Sequence, residues 1–107
     1  MGAPTPPREA SIVASIKRHL TSSGWFVWKH HGSGIGLTGM PDLFAVLEGH
    51  LLCLEVKRPG RSATRHQATR LAQLASHGAT ASVVHSVDEV RAILADLEGV
   101  RGRSCSR

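Results

Sequence analysis

Ile12, Val13, Ile16 and Leu20 recur at the spacing of one helical face, so the pattern predicts an amphipathic helix over 9–20, closed by Thr21-Ser22-Ser23-Gly24. Glu9 stands three and four residues ahead of Ile12 and Val13, which puts a carboxylate on the same inward stripe. Trp25 to His30 is aromatic and β-branched and reads as a strand, followed by the loop HGSGIGLTG. Residues 43–47 and 50–56 are two more strands, apolar on both faces, around the two-residue turn Glu48-Gly49. Arg58-Pro59-Gly60 ends the second of them, because proline has no amide to donate to a ladder. Helical period returns over 64–75, with Ala68, Leu71, Ala72, Leu74 and Ala75 inward and the Gln67 amide on the same side. Residues 79–84 form a fourth strand. Ser86-x-x-Glu89 then reads as a capping box opening a last helix through Val87, Val90, Ile93, Leu94 and Leu97.

This order, αβββαβα, predicts an α/β fold. A helix joining the third strand to the fourth is the connection that a parallel pair needs, so the sheet should be mixed and four-stranded, with flanking helices. At 107 residues one domain is expected over 8–98, with a flexible Pro-rich arm at 1–7 and a basic tail at 99–107.

Composition narrows the function. A hydrophobic content of 41% and a charged content of 20% are those of a globular protein, and no apolar run is long enough for a membrane span. MGAPTPPREA lacks a basic region followed by an apolar segment, so no secretory signal is expected and the location should be cytoplasmic; a phage-encoded protein acting in a host cell fits the same pattern. Cys53 lies in an apolar run and Cys105 in a polar segment, which favours packing over a disulfide. Seven histidines come without the C-x2-C or H-E-x-x-H spacing of a zinc site. The glycines of the loop are followed by a strand and by no G-K-[ST], so they are not a P-loop, and no small-molecule cofactor is expected. A formal charge of +5 and a pI near 10.3 point to a polyanionic partner. Lys57, Arg58, Arg61, Arg65 and Arg70 fall within one short segment.

The chemistry concentrates in TGMPDLFAVLEGHLLCLEVKRPG, residues 38–60. With Glu48-Gly49 as the turn, Leu47 pairs with His50, Leu43 with Leu54 and Asp42 with Glu55. Opposed residues share a face with Cβ atoms about 5 Å apart, so two carboxylates there repel unless a divalent cation sits between them. They would supply hard oxygen ligands for Mg²⁺ or Mn²⁺, and Lys57, two residues beyond Glu55, projects from the same face toward whatever the metal holds. The plainer alternative is that Asp42 caps a turn while Glu55 and Lys57 make a surface ion pair.

Gly39-Met40-Pro41-Asp42, then Glu55-Val56-Lys57, then a helix carrying Gln67, resembles the PD-(D/E)xK nuclease signature and, more narrowly, the virus-type replication-repair nuclease (VRR-NUC) domain, over residues 9–97. The resemblance implies a restriction-endonuclease-like core and metal-dependent phosphodiester hydrolysis. It implies Asp42 and Glu55 as metal ligands, the Val56 carbonyl as a further oxygen, Lys57 as the catalytic lysine and Gln67 as a site glutamine. Glu9 would match a first-helix acid at the metal, or else is an acid that merely suits a helix N-terminus. Lys29, Arg58, Arg61 and Arg65 are the expected DNA contacts.

The function expected is therefore a DNA endonuclease acting on branched or duplex DNA, such as Holliday junctions or flaps. The alternatives are a DNA-structure-binding module without turnover, and a protein-interaction domain with a basic face. Two phenylalanines, two tryptophans and no tyrosine make base stacking a poor main contact, so recognition through phosphates and shape is expected. Cutting both strands favours a homodimer. Trp25, Phe26, Trp28, Ile35, Leu37 and Met40 are its candidate interface, with one of Phe26 and Trp28 turned inward.

Overall fold

The computed structural model describes residues 8–30 and 37–105, with 100–105 as backbone only. The arm at 1–7, His31, Ile35 and the glycines at 32, 34 and 36 lie outside the described residues. The elements are α1 (Glu9–Ser22), β1 (Phe26–Lys29), β2 (Leu43–Leu47), β3 (His50–Val56), α2 (Arg65–Ser76), β4 (Thr80–Val84) and α3 (Val87–Cys105). The order is the αβββαβα that the hydrophobic pattern predicts.

Glu48 and Gly49 both take positive φ, 51° and 81°, which is the backbone of a type I′ hairpin turn. That turn fixes Leu47 opposite His50 and Leu43 opposite Leu54, the register expected from sequence. The sheet runs β1-β2-β3-β4, antiparallel except for the parallel β3-β4 pair, whose crossover is α2.

Strand alternation divides the sheet into two unlike faces. Leu43 and Ala45 of β2, Leu52, Leu54 and Val56 around β3 and Val84 of β4 point to one face. They pack there with Ile12, Val13, Ile16 and Leu20 of α1 and Val90 and Leu94 of α3, and this is the main core. Phe44, Cys53 and Glu55 point to the other face, where α2 lies over β3 and β4. Cys53 is a free, buried thiol pushed up to about 11 by burial, so it packs as an inert hydrophobe.

Several expectations are corrected. Only Leu71 of α2 is buried and Leu74 is half-buried, while Ala68, Ala72 and Ala75 are exposed. The helix meets the sheet over β4 and β3. Phe26 and Trp28 both face out, because residues two apart on a strand share a face, and the inward position between them belongs to Val27. Trp25 is buried in the main core and is no interface residue. The α3 backbone stays helical to Cys105, through most of the segment expected as a tail. Among the described residues no helix is long and apolar enough to cross a membrane.

Candidate active site

Asp42 and Glu55 meet as the hairpin register requires. Asp42 precedes β2 by one residue, and its Oδ2 accepts a 2.9 Å hydrogen bond from the Val56 N–H across the strand pair. Its backbone carbonyl accepts the His30 N–H at 2.8 Å, which ties it to the end of β1 as well. The aspartate is thus held between two neighbours. It does not cap a turn.

Glu55 lies on the second face of β3 and is only 2% exposed. Its Oε2 is 3.5 Å from the Lys57 ammonium, while its Oε1 is buried with no hydrogen-bond partner. Burial first, and then the adjacent Asp42, push the Glu55 carboxyl up to about 7 against the lowering effect of Lys57. A carboxylate that its fold desolvates, places beside a second acid and leaves half unpaired is costly as a structural feature. The plain surface ion pair is also excluded, since the glutamate is buried and the lysine side chain is only 15% exposed.

A residue in an antiparallel pair turns its N–H and its C=O to the same edge. The Val56 N–H points to Asp42, so the Val56 carbonyl leaves the strand on the Asp42 side. The Lys57 N–H donates instead to the Val84 carbonyl of β4 at 3.0 Å. Asp42 and Glu55 thus stand side by side, with Lys57 beside Glu55 and the Val56 carbonyl turned to the Asp42 side. Among the described residues no three His, Cys, Asp or Glu side chains cluster, so the acidic donors number two.

Glu9 does not join them. It is exposed in the first turn of α1, outside the inward stripe of Ile12, Val13, Ile16 and Leu20, and it fits the simpler role of an acid at a helix N-terminus.

Gln67 is half-buried on the side of α2 that carries Leu71 and Leu74, as predicted, but its carbonyl is already used. It accepts the Thr64 N–H at 2.9 Å while Thr64 Oγ1 accepts the Gln67 N–H at 3.2 Å, a complete capping box at the start of α2. The T-x-x-Q spacing could have revealed this. The box expected at α3 is only half present. Ser86 Oγ accepts the Glu89 N–H, but the Glu89 carboxylate reaches past Ser86 to the His85 backbone N–H and the His85 ring. The other His85 ring nitrogen, Nε2, donates to the Arg61 carbonyl at 2.8 Å. These bonds, the one to Arg61 first, raise the His85 pKa.

The residues leading to Asp42 are pinned to α2. Gly39 has φ +76°, and a Cβ there would sit 2.9 Å from the His66 backbone, so only glycine lets the two segments pass this closely. Arg70 donates from Nε to the Thr38 carbonyl at 3.1 Å, a second tie that sequence reading did not find.

The expected DNA contacts divide. Arg58 is half-buried just beyond Lys57, and Arg61 and Arg65 are exposed between β3 and the first turn of α2. Lys29 is not with them. It is opposite Leu43 in the β1-β2 register and so projects from the α1 face of the sheet.

No family model matches the sequence, and comparison with curated proteins finds no match either. Solved structures do match in fold. One described as a VRR_NUC domain protein superposes with a TM-score of 0.71 at 20% identity, covering 84% of this chain and 87% of its own. Another, described as a VRR_NUC domain, gives a TM-score of 0.69 at 26% identity, covering 80% of this chain and 92% of its own.

Proposed function

We propose that the chain, which shares the fold of solved VRR_NUC domains, is a metal-dependent endonuclease that hydrolyses phosphodiester bonds in DNA, branched or flapped DNA in particular. The observation that carries this is the buried, unpartnered Glu55 Oε1 next to Asp42 and Lys57. An acid pair that repels in the apo fold is accounted for if a cation belongs between its oxygens.

Asp42, Glu55 and the Val56 carbonyl would hold Mg²⁺ or Mn²⁺, which favour such hard oxygen donors and keep remaining positions for water and phosphate. When bound, the metal supplies Lewis-acid polarisation of the phosphate and a water of lowered pKa. Lys57 stands 3.5 Å from Glu55, where its ammonium can orient the attacking water or offset charge developing on the phosphate. Gln67, its carbonyl held by Thr64, presents its NH₂ as a donor to a phosphate oxygen. Arg58, Arg61 and Arg65 neutralise the flanking backbone phosphates.

Cleavage of a labelled four-way junction and a flap, with Mg²⁺ or Mn²⁺ and then with EDTA, tests the proposal. Metal-dependent nicking that Asp42→Ala and Glu55→Ala each abolish is expected. Cleavage undiminished in EDTA, or DNA binding with no cleavage under any divalent metal, overturns it. A second readout is independent of turnover. Because the cation must displace a proton from a carboxyl titrating at about 7, Mn²⁺ affinity measured by calorimetry should rise with pH between 6 and 8.

A further inference from the structure

We infer that the exposed aromatic stripe on β1 is a stacking platform for unpaired DNA bases, so that the preferred substrate is a duplex carrying a single-stranded arm next to the scissile phosphate. This rests on the reading of the site as one that acts on DNA. The stripe begins at the site itself, where the His30 N–H bonds the Asp42 carbonyl at 2.8 Å. The His30 ring stands edge-on to Phe44 with centroids 6.0 Å apart, Phe44 is parallel to Trp28 within 12° at 5.5 Å, and Trp28 lies 5.8 Å from Phe26. By alternation these rings share the sheet face of Glu55. α2 covers that face only over β3 and β4. Phe44 is buried beneath, whereas Trp28 is 39% and Phe26 71% exposed.

Two observations decide the occupant. The first is area. At those exposures the two rings offer roughly 200 Å², against the roughly 800 Å² per partner of a stable protein interface. A flat nucleobase fits this area, whereas a second copy seated on the rings alone would fall short of a stable interface. The second is the arrangement of charge. Arg58, Arg61 and Arg65 lie in the segment that leads from Lys57 into α2, while β1, at the other edge of the sheet, carries aromatic rings on the Glu55 face. Phosphates of a duplex arm suit the former and the π-faces of unstacked bases suit the latter. Few aromatic residues, as the composition shows, do not disfavour stacking when three of the four occupy one stripe beside the site.

The test is binding in EDTA, measured by fluorescence anisotropy, of three DNA hairpins: one with a thymidine tail, one with an abasic tail of equal length, and one blunt. The thymidine tail should bind at least about fivefold more tightly than the abasic one. Phe26→Ala and Trp28→Leu should each remove most of that preference and Phe26→Tyr should retain it, with thermal melts confirming that all three variants fold. Equal binding of thymidine and abasic tails overturns the inference. So does light scattering that shows a wild-type dimer converted to monomer by Phe26→Ala, since the stripe would then hold a second copy. Wild-type cleavage with Mn²⁺ is followed in parallel. Cleavage without base-dependent binding sinks this inference alone, and base-dependent binding without cleavage sinks the nuclease reading alone while supporting the platform.

Discussion

The site turns on one glutamate that the fold keeps from water. Glu55 is raised to about 7 by burial and then by the Asp42 charge, with Lys57 opposing. A carboxyl with a folded pKa above its unfolded one binds more protons folded than unfolded, so its contribution is full below about 4.5 and is lost as pH rises through about 7. The metal-free protein should therefore melt at a higher temperature at pH 5 than at pH 8, and Glu55→Gln should flatten that difference; a wild-type profile rising over this range would contradict the burial argument. Under the proposed function, saturating Mn²⁺ should reverse the slope, since an ion held by the two carboxylates would favour their deprotonated form. Lys57→Ala should lower kcat by about a hundredfold or more with little change in DNA affinity, as expected of a group that acts on charge formed in the transition state. Equal losses in kcat and affinity would assign it to binding.

Much of the element scale was legible in sequence. The Glu48-Gly49 turn and period-two strands give a register that places Asp42 opposite Glu55, and each side chain of that pair falls where counting puts it. What sequence did not disclose depends on contacts between elements distant in the chain. Gln67 sits on the predicted side of α2, yet only the Thr64 hydrogen bonds reveal that half its amide caps the helix. Helical spacing relative to Ile12 and Val13 predicts an inward Glu9, yet it lies exposed in the first turn of α1. Gln67→Glu should keep the capping box and thermal stability while losing cleavage, since it replaces the free NH₂ with a carboxylate that repels phosphate; Gln67→Leu should lose both, with about 1 kcal/mol from the cap. Full activity in Gln67→Glu would confine the residue to capping. Gly39→Ala meets the His66 backbone at 2.9 Å and a φ of +76°, so a loss of about 2 kcal/mol or more is expected in denaturant unfolding.

At the scale of the molecule, Arg58, Arg61 and Arg65 follow Lys57 on the way to α2, while Lys29 projects from the α1 face of the sheet. Arg61→Ala and Arg65→Ala should each reduce the slope of log affinity against log salt by about one unit, and Lys29→Ala should leave it unchanged. A slope change for Lys29 equal to that for Arg61 would mean that DNA wraps the sheet edge. The hairpin also bears on how the chain folds. Its tight turn closes Asp42 onto Glu55 across a short loop, and such local closure costs little chain entropy and comes early, before α2 reaches Thr38 from far along the sequence. Two acids are then brought together while the metal-free chain is still collapsing, and their repulsion falls on the rate-limiting barrier. Stopped-flow refolding in EDTA should accelerate as pH is lowered from 8 to 5, and Asp42→Asn should refold faster than the wild type at pH 8 with little change in its unfolding limb. The acid pair thus sets a kinetic toll on the apo chain, which a divalent ion present during folding would lift.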